Sequence, residues 1–317
     1  MSTRTSSKAA RAARRRAAAQ ERAAQARRTA LRRRWLRWGG LIAAVLLIAG
    51  AVWYLVLRDG DTGGDTDSPA APVVGGDLHT VAVIGDAVYV GGHEAVVVSR
   101  DGGRTWRRVP SLDGADAMGW ATSGGTVLVG GHPGLYRSTD HARTFRMRTG
   151  AAAVDDVHGI GAGGTTVYAA SPKSGLLVST DGGTHWTVRN AQAGRSFMGS
   201  ILVDPDDPQR LIAPDMSAGL SISRDGGRTW KALGGPEGVM AVAWNPAHRD
   251  QLVVVGMSGG ARSGDGGHTW TDLDTPAGVS AVAFDSTATV LYTAALDGDQ
   301  ARLYRSRDNG ATWKPTS

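Results

Sequence analysis

The chain of 317 residues contains no cysteine. Disulfides, thiolate metal sites and a lipid-modified cysteine anchor are therefore excluded. Glutamate is almost absent as well, with Glu21, Glu94 and Glu237 the whole set. Aromatics make up 6%, and ten tryptophans outnumber six tyrosines and three phenylalanines. Negative charge is nearly missing from the first 38 residues, which hold twelve Arg and one Lys against one Glu, a net +12. The whole chain is +6, so subtracting the tail leaves the rest at −6. The pI near 10.0 thus belongs to the tail. An acidic remainder excludes nucleic acid as its partner.

Long hydrophobic runs are missing except for one. From Trp38 to Leu57 twenty residues carry no charge, enough for one transmembrane helix. Trp35, Trp38, Trp53 and Tyr54 sit near its ends, where interfacial aromatics are favoured. Arginines before the run and acidic residues after it predict a cytoplasmic N-terminus, with the remainder outside the cytoplasmic membrane. Ala49-Gly50-Ala51 mimics a signal-peptidase site. Hydrophobicity nevertheless continues through Leu57 behind a long basic stretch, which favours an uncleaved anchor. The predicted order is a basic tail over 1–37, a signal anchor over 38–57 and a flexible linker, rich in Gly, Asp, Thr and Pro, over 58–76.

Six octets of the pattern S-x-D-x-G-x-T-W follow. They run from Ser99 to Trp106, Ser138 to Phe145, Ser179 to Trp186, Ser223 to Trp230, Ser263 to Trp270 and Ser306 to Trp313. Their closing aromatics are 39, 41, 44, 40 and 43 residues apart. A period near forty, with short β-type runs punctuated by glycine, predicts one four-stranded blade per repeat. In the first repeat the runs are Leu78 to Val83, Ala87 to Gly91, Ala95 to Ser99 and Thr105 to Val109. Each octet spans the turn between third and fourth strands, where its aspartate can accept turn amides and its glycines allow positive φ. The fold expected is all-β, a six-bladed propeller over 77–317 preceded by one transmembrane helix. Blade one is expected to pack on blade six without strand exchange.

The octets resemble the Asp-box of the sialidase and BNR-repeat superfamily, over residues 77 to 317. The chain also resembles small membrane-anchored bacterial propellers labelled glycosyl hydrolases. In that superfamily the boxes lie away from the active site, so the resemblance makes all six architectural. Sialidases clamp a substrate carboxylate with three arginines; here only Arg195 falls in a loop that feeds the channel, which argues against classical sialidase activity. Glycoside hydrolysis by a carboxylate pair drawn from Glu94, Glu237, Asp116 and Asp156 remains as an alternative. A third class is a protein-assembly scaffold, as in the photosystem assembly factor with similar repeats.

Aligning the starts of the innermost strands brings out a different pattern. The third position reads His79, Met118, His158, Met198, Met240 and Ser280 around the ring. The loop between second and third strands carries His93, His132, Met216 and Met257 in four of the blades. Both sets are expected at one mouth of the central channel, joined by Asp77, Asp116, Asp156, Glu94 and Glu237, which would attract cations. Imidazole with thioether is a ligand mix suited to copper, above all Cu(I). Methionine also serves as a filler of irregular gaps, so packing alone is the competing explanation. The function expected is a binding module working through this mouth on a metal ion, a small ligand or a membrane-associated protein.

Overall fold

A computed structural model describes residues 71–150 and 154–316, all within the second of two units, Thr66–Ser317. The basic tail, the expected membrane anchor and the linker up to residue 70 lie outside the described residues. Among the described residues no helix is long and apolar enough to cross a membrane. They form β-structure throughout, with a single 3-10 turn at Pro110–Leu112.

Six sheets follow in chain order, antiparallel but for one short parallel strand added to the third. The first pairs Leu78–Ile84, Ala87–Gly92, Val96–Ser99 and Arg107–Arg108 in sequence order, and blades two, five and six repeat this meander. Every residue of Ala87–Gly92 is buried, because a blade is covered on both faces. Alternation then deals its side chains to two neighbours: Val88 and Val90 pack towards blade six, Ala87 and Tyr89 towards blade two. Six apolar clusters arise in this way, one between each pair of adjacent blades.

The octets lock these interfaces. In blade one the Ser99 hydroxyl donates to Asp101 Oδ1 (2.8 Å) and accepts from the Gly103 amide (2.8 Å). Asp101 also accepts the Arg104 and Thr105 amides (both 3.0 Å) and the Thr105 hydroxyl (2.7 Å). Each closing aromatic, from Trp106 round to Trp313, enters the cluster shared with the preceding blade. In blade two Phe145 makes an edge-on contact with Trp120 (5.7 Å between centroids). Ala142, which stands where other octets have glycine, adopts the same left-handed backbone at φ +60°.

The ring closes between blades one and six without strand exchange. Trp106 and Leu78 pack against Tyr292 and Leu303, and the Ser280 hydroxyl donates to the Leu78 carbonyl (2.9 Å). Residues 72–75, which the composition places in the linker, add backbone bonds. Val73 bridges Gln300, the Val74 amide donates to the Asp299 carbonyl (2.9 Å), and the Val74 side chain is fully buried.

Blade four departs from the expected regularity. Its innermost strand is split, with Gly199–Ser200 pairing in parallel with Gly159 and Ile160 of blade three, and Leu202–Val203 staying with its own sheet. Glycines make the close approach feasible. A Cβ at Gly161 would sit 1.7 Å from the Ile201 carbonyl oxygen, and one at Gly119 2.5 Å from that of Gly199. The start of blade four is thereby drawn towards blades two and three, at one end of the channel.

Candidate functional site

The innermost strands of four blades carry a β-bulge at the same position. Leu78 faces Gly92 and Thr80 faces Gly91, so His79 is the extra residue. Met118, Met240 and Ser280 are the extra residues at the corresponding steps of blades two, five and six. A bulge breaks strict alternation and re-aims the side chain it carries. Here it turns the ring residues out of the blade-to-blade packing and towards the channel mouth.

His79, Met118, Met198, Met216 and Met240 converge there on one cavity of about 40 Å³, with Gly199 completing the lining. They come from blades one, two, four and five. Met118 is buried, whereas Met216 is 67% exposed and forms the side of the cavity nearest solvent. Gly199, at φ +64°, faces the carbonyl oxygens of Met240 and Met118. At the other end of the innermost strands a wider cavity of about 440 Å³ opens, lined by Trp120, Trp244 and Phe284 among others.

Beside the thioether cage lie two imidazole–carboxylate clusters. His79 Nε2 stands 2.9 Å from Asp116 Oδ1, and His93 Nδ1 stands 3.4 Å from the same oxygen. That oxygen is sealed from solvent and faces the two imidazoles. In the second cluster His132 Nδ1 and His158 Nε2 each lie 2.9 Å from Asp156 Oδ1, and the Lys173 ammonium is 3.9 Å from Oδ2. Burial by itself would push the His79 pKa down, but the Asp116 carboxylate, with Asp77 behind it, outweighs this and raises it. Burial would likewise raise Asp116 and Asp156; their histidines prevail and hold both below the usual carboxylate range.

The backbone shows that these carboxylates are placed at a cost. Asp116 and Asp156 sit at φ +46° and +57°, in the left-handed region. The equivalent residues of blades five and six are Gly238 and Gly278, at φ +70° and +75°. The aligned Asp77 of blade one is not left-handed, whereas blades two and three carry aspartate at a left-handed position that blades five and six fill with glycine. Aspartate tolerates this conformation better than most residues, though it remains strained.

The sequence matches no protein-family model and no curated protein. Solved structures do share the fold. The GH74 xyloglucanase of Xanthomonas campestris aligns with 79% of this chain at 16% identity and a TM-score of 0.51. This chain spans about half of that enzyme, 47% of its length. YCF48, solved bound to D1 peptide, aligns with 78% of this chain and 86% of its own at 19% identity and a TM-score of 0.50. At such identities the likeness is one of fold alone.

Eight of the nine metal-ligand candidates thus fall into three groups, with His79 in two of them. His79, Met118, Met198, Met216 and Met240 line the cage, His79 and His93 flank Asp116, and His132 and His158 flank Asp156. Met257 joins none of these; it is 82% exposed and lies over Gly238. Of the four hydrolase candidates, Asp116 and Asp156 are committed to histidines. Glu94 is exposed and packs beside Gly75, Glu237 is exposed as well, and neither lines the two cavities described above. The sequence reading placed Asp116 and Asp156 on the rim without pairing them to His93 and His132. The place of Gly199 in the lining is not legible in the sequence either. The repeated Asp two residues before Met118 and His158 was the available signal.

Proposed function

We propose that this protein is a binding propeller whose working surface is the His/Met mouth, and that the thioether cage takes a soft monovalent metal ion, Cu(I) first. One observation carries the reading. Methionines acting as filler would close a gap; four of them, with one imidazole, instead surround a cavity of about 40 Å³. A single water needs only ~10–15 Å³ of such space but two or more polar partners. A thioether lining serves a water poorly and suits a soft cation, which prefers sulfur to oxygen. The absence of cysteine leaves methionine as the soft ligand in this chain. Exposed Met216 provides the side from which an ion arrives.

Hydrolysis has less support. A glycosidase needs a carboxyl that stays protonated to act as general acid. Asp116 and Asp156 are shifted the opposite way, to lower pKa. Tethering by residues 38–57, with the propeller outside the cytoplasmic membrane, belongs to the same proposal and rests on the charge pattern of the N-terminal region. It would present the mouth to membrane-associated partners.

The test is a titration of the full-length chain, in mild detergent, with Cu(I) against a competing chelator. Stoichiometric binding that falls at least tenfold in a Met118→Leu/Met240→Leu double variant is expected. Binding unchanged by that pair, or no binding at all, refutes the cage.

A further inference from the structure

We propose that the mouth holds a second metal subsite of opposite preference, formed by His79, His93 and Asp116, and that it competes with the thioether cage because both use His79. The competition rests on the cage reading above; the second subsite stands without it.

Three observations lead there. The ligand atoms of His79, His93 and Asp116 all lie within 4.8 Å of one another, the spacing a single ion can span. Two imidazoles and a carboxylate form a borderline donor set suited to Zn(II), Co(II) or Cu(II) rather than to a soft monovalent ion. Asp116 Oδ1 is sealed from solvent with both imidazoles turned on it, at 2.9 and 3.4 Å, so the three ligand groups already converge on one spot. Its position adds to the argument, since Asp116 occupies a left-handed site that blades five and six fill with glycine. The carboxylate is thus present despite the backbone.

The cluster around Asp156 looks similar but differs in charge. Lys173 approaches Asp156 Oδ2 at 3.9 Å, so a cation is already in place there and a divalent ion would be opposed. The Asp116 carboxylate has no such ammonium among its described ion-pair partners. The preference is therefore for one divalent ion per chain, on the blade one side. It would have three protein ligands and one position open to water or to a ligand atom.

His79 also lines the thioether cavity. An ion in the cage and a divalent ion on the cluster would then be separated by about the width of one imidazole ring, and their charges repel. The two occupancies are antagonistic, and by linkage each weakens the other by the same factor.

The experiment uses Co(II) and Ag(I) on the full-length chain, with Co(II) followed by its visible d–d absorption and Ag(I) by calorimetry. Wild type should bind one Co(II), displaceable by Zn(II). Asp116→Gly and His93→Ala should each weaken Co(II) at least tenfold while retaining Ag(I). Asp116→Gly is suited to the fold because Gly238 and Gly278 hold the same conformation. Met118→Leu/Met240→Leu should show the reverse, losing Ag(I) and keeping Co(II). Saturation with Ag(I) should weaken Co(II) at least tenfold. Ag(I) binding without Co(II) binding, or Co(II) binding indifferent to both His93→Ala and Asp116→Gly, overturns the second subsite alone. Co(II) binding without Ag(I) binding overturns the cage and leaves the second subsite standing. Both ions binding without mutual weakening overturns the sharing of His79.

Discussion

Adding one methyl group at either of two adjacent glycines in the third octet should have very different consequences. Gly182 and Gly183 both have left-handed backbone, at φ +70° and +83°. Alanine in that conformation costs about 1–2 kcal/mol, offset by about 0.4–1 kcal/mol from the stiffer unfolded chain. At Gly182 the nearest outside atom to a new Cβ is the Ser123 hydroxyl at 3.4 Å, an ordinary contact. Gly182→Ala should therefore lose only about 0.5–1 kcal/mol. At Gly183 the same Cβ would come within 2.8 Å of Leu128 Cδ1. Leu128 is fully buried between blades two and three and has no solvent to swing into. Overpacking of that kind adds about 1–3 kcal/mol, so Gly183→Ala should lose roughly 1.5–4 kcal/mol in total. For a domain of this size that is a drop in Tm of about 3–16 °C, against about 1–4 °C for Gly182→Ala. Urea unfolding followed by tryptophan fluorescence, analysed at constant slope, measures both. Equal losses at the two sites would refute the idea that the octet glycine holds the blades in close approach.

The remaining predictions concern acid and closure. The six octet aspartates are held below the carboxylate range chiefly by hydrogen bonds from the residue four positions on, and Asp308 is lowered to about 2. Lowered folded pKa values mean stability that is present above the unfolded value, about 3.9, and is lost as pH falls through the folded one. The urea midpoint should thus decline steadily from pH 4 to pH 2, and a flat profile across that window would contradict the hydrogen-bonded geometry. Val74→Ala should cost about 2 kcal/mol, since it removes buried methyls from the blade one–blade six cluster. A loss within ±0.5 kcal/mol, the range of ordinary surface changes, would mean that residues 72–75 do not help to close the ring.

Much of this architecture could be read from local pattern. The octet is a self-contained hydrogen-bonded turn, so Ser99, Asp101, Gly103 and Thr105 identify it without reference to any distant residue. Six copies at a near-constant period then set the number of blades, because one blade cannot bury both its faces alone. The meeting of His and Met at one mouth followed from strand direction in the same way. The bulges did not. An extra residue at His79, Met118 and Met240 is a property of pairing between strands, and alternation along one strand does not reveal it. The split strand of blade four also escaped the repeat, because it depends on Gly119 and Gly161 admitting a foreign backbone.

The sequence by itself determined the blade count, the turn chemistry, the charge contrast between tail and propeller, and the residue types available at the mouth. These are matters of local hydrogen bonding, periodicity and composition, which the order of residues carries directly. Tertiary structure alone decided how that ring is divided. Four methionines and His79 share one cavity, His93 joins His79 at Asp116, and His132 and His158 gather at Asp156 beside Lys173. Met257, alike in kind and alignment, stands apart in solvent. Positions equivalent in the repeat differ by a few ångströms in space, and ligand chemistry is decided on that scale.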